Sequence, residues 1–479
     1  MNKTLNNILY NVAYQILNMI IPLITAPYIS RIMGPDGVGI YSYSTSVASY
    51  FAVFMLLGIA NYGSRTIAIN TNKSKEDLST IFWGMYAFQL LSSVVVLLVY
   101  IGYLMFFEME YKSALIAQFF YLLSVMADIS WYFAGTGQFK VTVTRGMVIK
   151  ILQTVSIFTF VNEANDIIIY ILIMTFGTLV GSFALWPIVL KQICFVKISA
   201  KIVGKHVKPN LVLFLPLLAS SVFVYMDKIM LQIITNTTSN VGWYEYAEKI
   251  VRIPLTVVSA IGVVMMPKIS AMATKTGEVA LGKYMQISMR YIALLGSAMC
   301  FGIGAIAPEL SVVYLGNEFF PCGSLMQLLS CVIIFSSFAN ILRTQYLIPM
   351  KKDRAYVFSI IAGAVVNLLL NMMLIPPFGA MGAVVGTIGA EVTVCLGHVW
   401  SVRKQLPLKK YFKEWLHFVL CGVIMLIFVR SIGAFVESLS SRLAVEIMLG
   451  IVSYCVLAVL VLFAKKDDLF LRLLRKRSL

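Results

Sequence analysis

Long apolar runs separated by short polar stretches recur from one end of the chain to the other. Fourteen runs can be marked: about 7–32, 38–62, 78–107, 113–136, 141–161, 167–190, 210–235, 241–267, 284–307, 321–349, 355–375, 380–402, 415–433 and 443–464. Each approaches or exceeds the ~20 residues that carry a helix across a hydrocarbon core of about 30 Å. Inside that core the backbone must satisfy its own hydrogen bonds, which a helix does alone. The runs are continuously apolar and do not alternate, so a β-barrel is excluded. The pattern predicts an all-α polytopic membrane protein with about 14 transmembrane helices. The opening "MNKTLNN" has one lysine, and no small-residue cleavage site follows a short apolar core. The first run therefore reads as a span and not as a removed signal peptide.

The polar breaks then orient the spans. Alternate breaks (the N-terminus, 63–77, 137–146, 191–209, 268–283, 350–354, 403–414 and the tail from Lys465) hold 28 of the 38 Lys and Arg residues. The other set holds only Arg31, Lys112, Arg430 and Arg442. The positive-inside rule places the first set and both termini in the cytoplasm. The net charge of +17 is thus mostly topology, with attraction to anionic membrane lipids, and calls for no nucleic-acid partner. Hydrophobic residues make up 60% and charged ones 12% of the chain, half the roughly 25% charged share of a soluble domain. The outer connections, such as "NTTSN" (236–240) and "PPFG" (376–379), are too short to fold as a domain. No GxxxxGK[ST] phosphate loop occurs. The seven cysteines form no CxxC and mostly sit in apolar runs, as small core residues do. The three histidines lack metal-site spacing, so no cofactor or metal is expected.

A phrase recurs. Val38-Gly39-Ile40-Tyr41-Ser42-Tyr43 aligns with Val241-Gly242-Trp243-Tyr244-Glu245-Tyr246, and Gly177-Thr178 aligns with Gly386-Thr387. These matches predict two six-span halves. Residues 1–190 form an N-terminal six-helix lobe, 191–209 a basic cytoplasmic linker and 210–402 a C-terminal six-helix lobe. Residues 403–479 add helices 13 and 14 and a basic tail. Six spans is an even number, so both halves enter from the same side, and parallel repeats of this kind commonly enclose a site. The glycines are assigned to the outer turn of each hairpin, with the tyrosines in the interfacial aromatic belt.

The two copies differ in charge. Glu245, Glu248, Lys249 and Arg252 fall at i, i+3, i+4 and i+7, on one helix face, with both acids four residues before their bases. Ser42, Thr45, Ser46 and Ser49 stand at the duplicated positions. At about 1.5 Å per residue, Arg252 lies some 16 Å below the outer end of its span, near the midplane. An exposed charge there costs roughly 2.5–3.5 kcal/mol, so it should face a polar interior. Two readings stand: a self-paired network that fixes helix packing, or a cavity wall that binds an anionic head group. Asp227 and Lys228 in span 7 lie at a similar depth. Asp128 in span 4 and Glu391 in span 12 have no partner nearby in sequence and are the candidates for ion or proton coupling, or for helix ties. Lys150, Arg290 and Arg343 lie within snorkelling reach of the cytoplasmic face.

The stretch "PYISRIMGPDGVGIYSYSTSVASYF" (Pro27–Phe51) strongly resembles the first outer hairpin of bacterial polysaccharide flippases of the Wzx, or O-antigen flippase, type. These belong to the multidrug/oligosaccharidyl-lipid/polysaccharide exporter superfamily. "WYFAGTGQFK" (131–140) and "QYLIPMKKDR" (345–354) look like further marks of it, although "FAGTG" departs from the more usual Gln-Gly. The resemblance covers essentially the whole chain. It implies a V-shaped pair of six-helix lobes around a central cavity, with two further helices outside. It also implies that undecaprenyl-diphosphate-linked oligosaccharide, an O-antigen or capsule repeat unit, moves from the inner to the outer leaflet. Related lipid II flippases hold the diphosphate with basic cavity residues; by position Arg252 and Lys249 carry that role here, and Arg31 matches the family's arginine at the end of span 1. A polysaccharide polymerase and a chain-length regulator are the implied protein partners. No enzymatic activity is implied. The alternatives are a cation-coupled drug exporter of the same superfamily, whose cavity would favour acids, and a membrane polymerase or glycosyltransferase, which would need a large outer loop or an acidic metal motif.

Overall fold

The computed structural model describes the backbone of residues 3–106, 110–275 and 277–465, and the side chains of 20–106, 110–258 and 284–465. The side chains of Lys3, of the basic stretch 268–283 up to Lys283 and of the tail beyond Lys465 lie outside the described residues. Among the described residues every regular element is helical. Among the described residues eleven helices are long and apolar enough to cross a membrane, or twelve with the pair Asn317–Leu329 and Val332–Leu347, bent by 43°. Two predicted spans account for the difference from fourteen. Ile20–Asn70 holds spans 1 and 2 in one run of 51 residues, about 77 Å of helix and far longer than one crossing. Span 8 lies in the helix Thr238–Lys275, whose described part carries four charges within eight residues.

Two compact units form, Met1–Gly242 and Trp243–Leu479. The first takes in predicted span 7, because the helix Ala200–Ser221 packs on its neighbours there. Tyr62 Oη meets His206 Nδ1 at 2.9 Å, and the ring of Phe54 lies 5.4 Å from that of Phe214. That helix begins ten residues before the predicted span, so half of the basic linker is helical, with Lys201, Lys205 and Lys208 exposed. The predicted loop 268–283 is likewise taken up by the ends of Thr238–Lys275 and Gly277–Leu310.

The first hairpin turns on one residue. Gly34 has φ 62° and ψ −177°, inside an otherwise continuous helix Lys3–Leu56. Tyr28, before it, donates from Oη to the Val161 carbonyl at 2.8 Å, and Tyr41, after it, packs edge-on against Tyr170. Both arms therefore return to the same end, around the 161–166 turn. Pro35 starts the second arm with its φ preset for a helix and no N–H to leave unpaired. In the second copy Asn236 takes the left-handed conformation (φ 49°) just before Thr238, a position asparagine tolerates.

The other glycines of the phrase do a different job from the one assigned by sequence. Gly39 and Gly242 are helical and permit close approach. A Cβ on Gly39 would lie 2.0 Å from the Thr238 carbonyl oxygen, and one on Gly242 would lie 2.0 Å from that of Pro35. Pro35 and Gly39 align with Thr238 and Gly242 in the duplication, so the two close approaches are made by equivalent residues. Asp36 Oδ1 accepts from Thr238 Oγ1 at 2.5 Å and from Ser239 Oγ at 2.6 Å, tying the crossing. The second repeat is structural too: a Cβ on Gly177 would strike Gln153 at 2.7 Å, and one on Gly386 would strike Asn371 at 2.1 Å.

In the second unit, two ionic clasps hold predicted spans 9, 13 and 14 together. At one end Glu414 receives Arg290 at 2.8 Å and Lys465 at 2.5 Å. Arg290 is therefore paired and does not snorkel. At the other end Arg430 bonds Glu309 at 2.7 Å and Glu446 at 3.3 Å, with Arg442 3.7 Å from Glu309. Arg290 and Glu309 are 19 residues apart on one helix, about 28 Å, which matches the hydrocarbon thickness. The clasps thus sit about one hydrocarbon thickness apart, and Arg430 and Arg442 are both paired with acids. Glu414→Ala leaves Arg290 and Lys465 without their acid, a loss of about 3–5 kcal/mol for a buried pair. The variant should melt well below the parent in detergent; an unchanged melting temperature would show the clasp to be dispensable.

Candidate functional site: the polar face of the second unit

The charged stripe forms as a helix face. Arg252 donates from Nε at 2.8 Å and from Nη2 at 2.5 Å, both to Glu248 Oε1. Lys249 Nζ lies 3.8 Å from Glu245 Oε1. The two halves of the tighter pair differ in exposure. The Glu248 side chain is 7% exposed, that of Arg252 45%. A self-sealed packing network would bury both; here the base stays open while its acid is covered. Pro254, two residues on, cannot donate to the Ile250 carbonyl and loosens the ladder beside Arg252.

A second helix supplies a matching face. Thr387, Glu391 and His398 lie at i, i+4 and i+11 on Ala380–Val402, one side of the helix. Tyr244 Oη meets Thr387 Oγ1 at 2.8 Å and ties the two helices together near their N-terminal ends. One turn further along the same helix, the Glu391 carboxylate feels the charges of Arg252 and of Arg343. Glu391, isolated in sequence, therefore has two arginines of other spans in its electrostatic surroundings. Arg343 opens a π-helical turn, Arg343–Leu347, and sits 6.0 Å from the Tyr356 ring centroid. Sequence reasoning treated Arg343 as a snorkelling residue. What it missed is contact between spans 8, 10 and 12, which no local spacing encodes.

The remaining candidates lie in the first unit. Ser42, Ser46 and Ser49 are buried there, and Thr45 Oγ1 accepts from Gln118 Nε2 at 2.8 Å. Asp227 and Lys228 are buried at the start of Asp227–Thr235, directly after the π-helical turn Val222–Met226. Arg31 is exposed, three residues before Gly34. Asp128 ends the helix Phe119–Ala127 and accepts from Ser130 N at 3.1 Å and Ser130 Oγ at 2.7 Å, across a break in span 4. Gln89 and Trp186 satisfy the carbonyls that this break frees: Gln89 Nε2 reaches the Asp128 carbonyl at 2.9 Å and Trp186 Nε1 that of Ala127 at 2.9 Å. Trp131, Tyr132 and Phe133 of "WYFAGTGQFK" are core residues, with Trp131 and Tyr132 against the Phe82 ring and Phe133 against that of Tyr132. Among the described residues no group of three or more His, Cys, Asp or Glu could hold a metal.

Known proteins resemble this arrangement at two levels. A protein of Shigella dysenteriae named "Putative O-antigen transporter" is 26% identical over 396 residues, covering 81% of this chain and 96% of its own length. The protein of the same name from Escherichia coli strain K12 is 22% identical, covering 83% and 96%. In structure, the lipid II flippase MurJ in an inward closed conformation superposes with a TM-score of 0.80, covering 96% of this chain and all of its own at 14% identity, a likeness of fold. Residues 4–273 match the family described as "Polysaccharide biosynthesis protein", more than half of the chain, and this multi-pass membrane protein belongs to that family.

Proposed function

We propose that the protein is a flippase that carries an undecaprenyl-diphosphate-linked oligosaccharide from the cytoplasmic to the outer leaflet of a bacterial inner membrane, by alternating access and without ATP. The observation that carries this reading is Arg252. It is a guanidinium at mid-depth, open to 45% on its side chain while its partner acid is buried. Such a group suits an anion that enters and leaves, because a planar guanidinium binds phosphate oxygens in pairs. The names of the relatives and the lipid II substrate of the fold's neighbour agree with a lipid-linked sugar cargo. In the proposed cycle the diphosphate displaces Glu248 from Arg252, the lipid tail stays in the bilayer, and release outside restores the pair. Outward movement of negative charge from a negative-inside cell gains about 2.3 kcal/mol per charge per 100 mV, a drive that needs no nucleotide.

A strain lacking this protein is expected to lose its surface polysaccharide and to accumulate single lipid-linked repeat units shielded from an external sugar-modifying enzyme. Surface polymer at the parental level, or a defect confined to drug sensitivity, would overturn the proposal.

A further inference from the structure

We propose that the first unit holds an anionic membrane phospholipid, its acyl chain in a groove between the helices Phe139–Phe160 and Ile167–Phe183 and its phosphate on Arg145. The groove encloses about 450 Å³. Ile149, Leu152 and Ser156 line one wall at i, i+3 and i+7, and Leu172, Phe176 and Val180 line the other at i, i+4 and i+8. From Leu172 to Val180 it follows the helices for about 12 Å. Gln153, on the first wall, donates from Nε2 to the Met174 carbonyl at 2.8 Å, so its amide is satisfied within the wall. Leu152, Phe176 and Val180 remain exposed. In a bilayer an apolar groove of this kind opens onto hydrocarbon. Left empty, its lining would lose dispersion contacts on one side, so a lipid chain fills it.

Arg145 selects the kind of lipid. It lies one turn before Ile149 on the same helix face. A Cβ on Gly181 would lie 3.2 Å from Ile149 Cγ1 and 3.3 Å from Arg145 Nη1, so the guanidinium continues the groove past Val180. Arg145 makes no hydrogen bond or ion pair among the described residues, and its Nε is buried without an acceptor. A buried donor in that position costs free energy until an acceptor reaches it. Arg145 stands six residues inside the start of its helix, at the end carrying the basic break 137–146 and within snorkelling reach of lipid phosphates. A phosphate bonds a guanidinium through paired oxygens, and a headgroup with net negative charge keeps that attraction where a zwitterionic one offsets it. A second copy of this chain is the poorer occupant. Gly177 and Gly181 form the small-xxx-small pattern that brings membrane helices together, but Gln153, Ile149 and Arg145 of the same chain already cover that face.

The test is titration of the purified full chain in detergent with phosphatidylglycerol and with phosphatidylcholine of the same acyl chains, bound lipid being counted by native mass spectrometry. The parent should hold its first phosphatidylglycerol more tightly by about tenfold or more, the value of one charge-assisted hydrogen bond. Arg145→Gln should bring the two lipids to near parity. Lys201→Gln, which removes the same charge from an exposed position on another helix, should keep the preference. Val180→Trp fills the groove and should weaken both lipids alike. Should Arg145→Gln fail to fold, Arg145→Lys carries the same test, with part of the preference lost. A full preference in the folded Arg145 variant, or one lost equally in Lys201→Gln, would reduce the effect to general attraction by a basic surface and overturn the site. Lipid binding indifferent to Val180→Trp, or a parent dimer that this variant breaks, would overturn the groove's occupant.

Discussion

Arg252→Ala should stop export of repeat units while the protein remains in the membrane. The variant removes the two-pronged donor at mid-depth, and charge-assisted bonds of that type are worth about 1.5–3 kcal/mol each. Losing both implies at least a hundredfold drop in productive capture, enough to remove visible surface polymer. The change also strands Glu248, buried at 7% side-chain exposure. Pairing it with Glu248→Gln keeps the shape and removes the stranded charge, so the double variant separates loss of function from loss of folding. Arg252→Lys should be partly active, since the charge survives but the fork does not. Surface polysaccharide and membrane protein level are measured together. Near-normal polysaccharide with alanine at 252 would mean that the stripe serves packing alone.

Gly242→Val should abolish the folded protein, and Gly39→Val should do the same. In each case the new Cβ lands 2.0 Å from a backbone carbonyl oxygen on the facing helix. A backbone carbonyl cannot swing aside as a side-chain tip can, so the two helices must separate. Overpacking in a tight core costs about 1–3 kcal/mol even where side chains can yield, and here separation also breaks the Asp36 bonds to Thr238 and Ser239. Gly204→Ala is the control. It is a helical glycine with nothing within 4 Å of the added Cβ, so alanine there should be neutral or stabilising by up to about 1 kcal/mol. Melting temperatures in detergent decide the matter; wild-type stability for Gly242→Val would remove the crossing from the account.

The spans were legible because a bilayer demands length and apolarity, and both are local properties of the chain. The runs ending near 107, 161, 402 and 433 meet helices ending at Phe106, Phe160, Val402 and Gly433. Breaks were less legible. The ends of Thr238–Lys275 and Gly277–Leu310 run on through a polar stretch that hydropathy marks as a loop, because water is as permissive of a helix as of a turn. Glycine was ambiguous for a related reason: the same residue type serves as the turn at Gly34, through its φ, and as a flat contact at Gly39 and Gly242.

For the site, the i, i+3, i+4, i+7 spacing foretold the face shared by Glu245, Glu248, Lys249 and Arg252, since helical periodicity fixes it. The partners from other spans were not written in any spacing. Glu391 lies 139 residues from Arg252 and Arg343 lies 91 from it, and packing alone joins them. The same holds for Arg290 and Glu414, which sequence separates by 124 residues. Arg290, alone in its apolar run, thus finds a distant acid, whereas Asp128 is met by Ser130, two residues on.

The central claim, outward passage of a lipid-linked oligosaccharide without ATP, is tested most directly in vesicles. The purified protein is reconstituted with an undecaprenyl-diphosphate oligosaccharide bearing a fluorescent sugar, and a membrane-impermeant quencher reports how much label reaches the outer leaflet. With a membrane potential negative inside and no nucleotide, the parent protein should raise the quenchable fraction well above that of empty vesicles, and Arg252→Ala with Glu248→Gln should not. Equal quenching in empty and protein-loaded vesicles, or transport that appears only when ATP is added, would contradict the account.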